Sequence, residues 1–325
     1  MFGFWRRRGK QENECRFISS RGILKSVELH TADPESDAEQ IPADLAKRLK
    51  GEFGTLYLSA TMIPDFIENY LPSIRSPFVL VTGDADIPLK ESSFPEGYMQ
   101  TLLDHPLIIR WYAQNLDTLH PKLVNLPLGV DYHTLSSKRV RRKGRHSWGR
   151  YITPELQEEM ICRIGHAAGP LANKKPIAFS NWHFVPERGN RQACLDEADR
   201  RAVYYQEKFI PRMESWELNS TFAFTLSPHG NGLDCHRTWE AYLLGTIPVV
   251  TTSSLDPLYE GLPVVILKDW AELSQQRLEE ELEVATRTSY DFSRLELSYW
   301  AAKILGKDLD LHPCSFEAFR ETLVK

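Results

Sequence analysis

The residues best placed by type and spacing to do chemistry lie in one stretch. It reads Ser227-Pro-His-Gly-Asn-Gly-Leu-Asp-Cys-His-Arg-Thr-Trp-Glu240, followed by Ala-Tyr-Leu-Leu-Gly-Thr-Ile-Pro-Val-Val250. A strand is expected to end at Leu226, and Gly230 and Gly232, on either side of Asn231, let backbone amides approach a ligand closely. Asp234 is the expected helix N-cap, and the free amides of a first helical turn favour an anion. Arg237 falls in that turn, where a guanidinium can clamp a diphosphate with paired hydrogen bonds. Glu240, three residues on, shares the helix face and can accept hydrogen bonds from sugar hydroxyls. Gly245 is expected to end the helix and Pro248 to sit at the opening of the next strand. A diphosphate grip beside a hydroxyl acceptor is what a nucleotide-sugar site requires. The competing reading is an intrahelical Arg237–Glu240 ion pair, with glycines that merely turn the chain. The glycine loop and the tight Gly-Thr-Ile-Pro-Val-Val return weigh against it.

The pattern S-P-x-G-N-G-x-D-x-x-R-T-W-E-A-x-x-x-G-x-I-P-V-V, continued by Leu262-Pro-Val-Val-Ile and Asp269-Trp270, resembles the donor-binding half of exostosin-like glycosyltransferases. It is also similar to the wider GT-B group of such enzymes. The close match spans residues 222–273. Looser echoes, Asn181-Trp-His with Arg188 and Arg191, Trp111-Tyr-Ala-Gln-Asn115 and Leu126-Pro-Leu-Gly-Val130, extend it over most of 55–275. The resemblance implies a glycosyltransferase that moves a hexose or pentose from a nucleotide sugar, UDP-linked first and GDP-linked second, to a glycan or lipid-linked saccharide, as in polysaccharide biosynthesis. No tightly bound cofactor or metal is expected. Arg237 would neutralise the leaving diphosphate and Glu240 would hold the ribose. Thr251 and Ser253, after the next strand, would hydrogen-bond the nucleotide, and Arg188 or Arg191 would add positive charge. His229 departs from the arginine or other basic residue expected there. His229 and His236 flank the loop and can contact phosphate when protonated. The expected donor set is thus Ser227, His229, Gly230, Asn231, Gly232, His236, Arg237, Glu240, Thr251 and Ser253, with Arg188 and Arg191.

Asp84-Ala-Asp86 follows the apolar run Phe78 to Thr82 and has three readings. It is a polar strand end, the metal-binding aspartate pair of a metal-dependent transferase, or the source of a base that deprotonates the acceptor hydroxyl in an inverting displacement. The third is favoured, with Asp86 ahead of Asp84. No histidine–carboxylate cluster with metal spacing is visible, which argues against a catalytic zinc.

The basic run Lys138-Arg-Val-Arg-Arg-Lys-Gly-Arg145 reads as a solvated interdomain loop, an anionic membrane-surface contact or, least favoured, a nucleic-acid patch. Phe2, Phe4, Trp5 and Arg6 to Arg8 would add a second membrane contact. A non-catalytic carbohydrate- or nucleic-acid-binding protein using the basic run is the rival from outside enzymology.

The elements that must position these residues are short apolar strands alternating with helices. Thr55–Ser59, Phe78–Thr82, Leu107–Trp111 and Leu123–Val130 form one series; Lys175–Ser180, Phe222–Leu226, Ile247–Thr251 and Val264–Leu267 form another. Such alternation predicts parallel sheets covered by helices. A strand is also expected at Ile23–Leu29, and helices at Ile63–Leu71, from Pro154 with a Leu156/Met160/Ile164 stripe, at Arg237–Leu244, from Trp270 and at Leu295–Leu305. The fold class is therefore α/β and GT-B-like, two Rossmann-like domains facing across a cleft. The expected division is an N-terminal segment 1–50, an acceptor domain 51–170, a donor domain 171–290, and C-terminal helices 291–325 returning to the N-terminal domain.

Composition agrees with a globular enzyme: 325 residues, 42% hydrophobic and 26% charged, with a net charge of -5 that gives no global pull toward nucleic acid. Five cysteines (Cys15, Cys162, Cys194, Cys235 and Cys314) lack any C-x-x-C pair, which suggests a reducing compartment. No apolar run reaches membrane-span length and no secretory leader is visible, so the cytoplasm, with peripheral membrane contact, is the expected location.

Overall fold

The computed structural model describes residues 11–307 and 309–324. The membrane contact expected of residues 2–8 lies outside them.

Continuous apolar runs become fully buried parallel strands, as expected where helices cover both faces of a sheet. Thr55–Ser59 (β1), Phe78–Gly83 (β2), Ile108–Ala113 (β3) and Leu123–Asn125 (β4) lie side by side in one parallel sheet, in that order. Leu29 adds a parallel bridge to Leu56 at its edge. A second sheet contains Lys175–Ser180 (β5), Val203–Tyr205 (β6), Phe222–Leu226 (β7), Ile247–Thr251 (β8) and Val265–Leu267 (β9), in the order β9-β8-β7-β5-β6 and all parallel. The chain leaves β5 toward one edge and β7 toward the other, so a topological switch point lies between them. That is where ligands bind in open α/β sheets. The protein is thus α/β, with two Rossmann-like units.

One apolar cluster, including Leu45, Phe66, Phe78, Leu102 and Trp111, packs within the first unit. The other runs from the second unit into Phe17–Val27 and Leu126–Tyr132, so the two units share a core. The helix Leu297–Ile304 packs on the helix Ser20–Ser26, and Tyr112 donates to the Lys303 carbonyl at 2.7 Å. The helix His236–Leu243, called the site helix below, is crossed closely by the helix Pro154–Ala167. A Cβ on Gly165 would fall 1.8 Å from the Leu243 carbonyl oxygen, so only glycine allows this approach. No helix among the described residues is long and apolar enough to cross a membrane, and the five cysteines are free.

Several local expectations are corrected. Ile23–Leu29 is not a strand: Ser20–Ser26 is a helix, capped by Ser19 Oγ on the Gly22 amide. The strand β4 stops at Asn125 instead of reaching Val130. Helix does not begin at Trp270, where a single 3-10 turn precedes the helix Gln275–Arg287, capped by Ser274. Pro154–Ala167 buries Gln157, Ile161, Cys162 and Gly165, while Leu156 is exposed. The basic run is not a loop: Lys138–Lys143 is a helix capped by Ser137 and ended by Gly144, and Arg145–His146 pairs with Gly149–Arg150 in a hairpin.

Candidate functional site

The carboxyl ends of both sheets converge on one cavity of about 460 Å3. From the first unit it receives Asp84, Asp86 and the segment after β4; from the second, the loops after β5, β6 and β7.

The loop between β7 and the site helix is fastened across the cleft. Asn231 Nδ2 donates to Asp86 at 3.2 Å, the Asp234 amide to Asn115 Oδ1 at 2.8 Å, and the Leu128 amide to Asp234 at 2.7 Å. Gly232 presses on Asn115, whose side-chain atoms lie 2.8 Å from where a Cβ would stand. This close approach is thus to protein as well as to the cavity that Gly232 lines. Asp234 is not the helix N-cap. Cys235 holds that position without a side-chain cap, while Asp234 is buried and accepts from Trp239 Nε1 and the Cys235 amide.

Arg237 and Glu240 both line the cavity, and among the described residues they form no ion pair. Glu240 is buried, with Oε2 accepting from Trp216 Nε1 at 3.1 Å and Oε1 without a partner. Arg237 donates to the Pro228 carbonyl at 3.0 Å, and its Nε is buried and unpartnered. Arg191 is buried beside it, donating to the carbonyls of Val185 and Trp182, with its own Nε bare. Burial and the adjacent Arg237 charge push the Arg191 guanidinium down to about 10. Arg188 lines the same wall and is exposed. Both guanidiniums line one cavity and, among the described residues, neither is paired with a carboxylate, an arrangement suited to an anion.

Gly230, Asn231, Gly232 and His236 also line the cavity; Ser227, His229, Thr251 and Ser253 do not. Ser227 Oγ is hydrogen-bonded to Thr238 Oγ1 inside the helix–strand junction, and Thr251 Oγ1 accepts from Asn190. Ser253 turns its Oγ to the Leu255 amide. The His229 amide donates to Asn190, and burial with the Arg237 charge pushes its imidazole below the ordinary value.

On the opposite wall Asp84 pairs with Arg21 at 3.5 Å and accepts from Ser36 Oγ at 3.0 Å. Asp86 is exposed and its amide donates to Asp37, which joins the wall. Burial raises the Asp37 carboxyl against the lowering hydrogen bond from the Asp86 amide, and the Asp86 and Asp84 charges add to the rise. Asp37, Asp84 and Asn115 all carry positive φ, a conformation that asparagine and aspartate tolerate and that clusters at functional sites.

Sequence reasoning missed the polar centre of the cavity. Arg212, buried at the start of the helix Arg212–Asn219, donates to the Asp131 carbonyl at 2.7 Å and forms an ion pair with its carboxylate. His133 Nδ1 lies 3.2 Å from Asp131 Oδ1, and the His133 and His236 rings are 5.6 Å apart. Burial alone would raise the Asp131 carboxyl, but Arg212, His133 and His236 outweigh it and hold it well below the usual range. Asp131, His133 and His236 offer ligand atoms within 4.8 Å of one another, the spacing of a metal site. Both Asp131 oxygens are already taken, however, by Arg212 on one side and by the Thr134 amide and His133 on the other. A divalent cation would have to share Oδ1 with the Thr134 amide or displace the Arg212 guanidinium from Oδ2. The available signal was position: Asp131-Tyr-His133 follows directly on the apolar run Leu126–Val130, in the segment after β4.

No protein-family model matches the chain, and no curated protein does. Among solved structures, an α1,3-fucosyltransferase with GDP is similar over 93% of this chain and 95% of its own, at 12% sequence identity and a TM-score of 0.34.

Proposed function

We propose that the chain is a glycosyltransferase of the GT-B type that takes a nucleotide sugar into this cavity and passes the sugar to a hydroxyl of a glycan or lipid-linked saccharide. The observation that carries the reading is the wall of the second unit. Arg237, Arg191 and Glu240 line one cavity at a sheet's switch point; among the described residues neither guanidinium has a carboxylate partner, and one buried Glu240 oxygen has no hydrogen-bond partner. Leaving such groups bare costs free energy that a bound diphosphate and ribose would recover. Arg237 and Arg191 take the diphosphate, with Arg188 closing over it, and Glu240 accepts from the ribose. The exostosin-like pattern at 222–273 supports the same assignment and makes a UDP-sugar the first donor to try and a GDP-sugar the second.

The first unit, within 51–170, contributes the acceptor side, and 171–290 the donor side. The basic helix Lys138–Lys143 leads through the hairpin to Trp148, which lines the cavity and stacks under Arg212 at 4.5 Å. Its exposed arginines and lysines suit a membrane-bound or otherwise anionic acceptor better than nucleic acid.

Calorimetric titration of the full chain with UDP and with GDP, each with and without EDTA, tests the reading. Binding of either nucleotide that survives EDTA is expected. Binding that requires metal would favour the aspartate wall around Asp84 and Asp86, and binding of neither would refute the donor site.

A further inference from the structure

We propose that His133, held in place by Asp131, is the base that takes the proton from the acceptor hydroxyl; this rests on the transferase reading above. The Asp131 carboxylate, with Oδ1 3.2 Å from His133 Nδ1, favours the ring hydrogen on that nitrogen. That leaves the Nε2 lone pair free on a ring that lines the cavity. Asp131 is a positioning residue. Arg212 keeps it ionised throughout the range in which an imidazole titrates, so it fixes the tautomer and steadies the imidazolium without competing for the proton.

The other candidates are engaged elsewhere. Asp84 sits against the Arg21 charge at 3.5 Å and accepts from Ser36 on Oδ1, with Oδ2 lacking a hydrogen-bond partner, and Asp86 receives Asn231 from across the cleft. His236 donates from Nδ1 to the Gly129 carbonyl at 2.7 Å and has no carboxylate of its own behind it. As the first residue of the site helix, His236 sits on the donor side, while His133 faces it from the first unit at 5.6 Å between ring centres. His133 thus belongs to the first unit's wall of the cavity and Arg237 and Arg191 to the second unit's wall. The acceptor O–H gives its proton to His133 Nε2, and the oxygen's electron pair forms the bond to the anomeric carbon. The bond from that carbon to the diphosphate oxygen breaks, and its pair leaves with the nucleoside diphosphate toward Arg237 and Arg191. Configuration at the anomeric carbon inverts.

The charged groups around the His133 ring are Asp131, Arg21, His236 and Asp84, with Arg212 behind Asp131. Burial pushes the ring below the ordinary imidazole value, with Asp131 opposing and Arg21 and His236 adding, so it is neutral and ready to accept at pH 7.

The test is nucleoside diphosphate release from UDP-glucose and GDP-mannose, with water as acceptor, by wild type and His133→Gln between pH 5 and 9. UDP and GDP calorimetry and a ring NMR titration of His133 run beside it. The expected result is nucleotide binding within about threefold of wild type and a rate reduced roughly 10²- to 10⁴-fold. The wild-type rate should fall on the acid side at the pH where His133 itself titrates, below about 6.5. That limb should persist in Asp86→Asn and disappear in His133→Gln. A His133→Gln enzyme that keeps its rate, or a limb at a pH where the ring does not titrate, overturns the base and leaves the donor site standing. Wild type that binds neither nucleotide overturns both. If nucleotide binds but neither sugar is released, the ring titration decides. A ring in the Nδ1–H form whose titration moves when UDP or GDP binds supports the base; a ring indifferent to nucleotide overturns it.

Discussion

Replacing Glu240 by glutamine removes a negative charge at almost constant volume, and the surroundings determine what that should do. The oxygen that accepts from Trp216 Nε1 at 3.1 Å can remain an oxygen, so the hydrogen bond holding the side chain survives. The other oxygen, bare and buried, becomes an amide nitrogen that cannot accept from a hydroxyl. A hydrogen bond to a charged acceptor is worth about 1.5–3 kcal/mol net, so nucleotide binding should weaken roughly 10- to 150-fold. The unliganded protein should be as stable as wild type or slightly more so, because an unpartnered buried charge has gone. Glu240→Ala should lose binding similarly, but also about 1–3 kcal/mol of stability, since it strands the buried Trp216 N–H. Calorimetry with UDP or GDP and urea denaturation of both variants separate the two effects. A glutamine variant that binds nucleotide within twofold of wild type would refute the ribose assignment. One less stable than the alanine variant would refute the Trp216 contact as the anchor.

Other consequences follow from the same geometry. Asp131→Asn breaks a buried ion pair across the cleft and should cost about 3–5 kcal/mol in urea denaturation at pH 7. Because Arg212 and the two histidines depress the folded-state pKa, that stability is complete above the unfolded value of about 3.9 and is lost as pH falls below it. The gap between wild type and variant should therefore narrow below about pH 4. Gly165→Ala places a methyl group against the Leu243 carbonyl at the end of the site helix, and should cost upwards of about 3 kcal/mol, read as a lowered melting temperature. Burial pushes the Glu12 carboxyl up to about 7, against the Lys25 and Arg21 charges that lower it, so folding disfavours its ionised form. Glu12→Gln should stabilise the protein by on the order of 2 kcal/mol at pH 8 and by almost nothing at pH 4, where the group is protonated folded or unfolded; denaturation at the two pH values checks it.

What could be read from the sequence was what depends on local pattern. Phe78-Val-Leu-Val and Phe222-Ala-Phe-Thr-Leu are buried on both faces, so their apolar runs declared them strands. The three-residue strand Val203–Tyr205, with exposed Arg200 and Arg201 before it, was too short and polar to show a period and was missed. Ser20–Ser26 hid because glycine and serine are poor helix formers; its helix is held by packing against Leu297–Ile304 and by Ser19. Arg237 and Glu240, which both line the cavity, could be placed on one helix from the sequence because glycine loop and helix are contiguous. The Asp131–His133–Arg212 centre was not, since 81 residues separate Asp131 from Arg212 and only folding brings them together. Asp234 followed the N-cap pattern, but tertiary contacts took its carboxylate for Leu128 and Trp239.

Release of nucleoside diphosphate reports whether the wall bearing Arg237 grips the diphosphate of a sugar donor during transfer. A panel of UDP- and GDP-sugars would be incubated with wild type and Arg237→Ala, each in EDTA. Wild type is expected to release nucleotide from at least one donor without metal, and the variant about 10²-fold or more slowly, as for loss of a group that stabilises developing charge. Release that depends on metal and ignores Arg237, or nucleotide binding with no release from any donor, would contradict that grip.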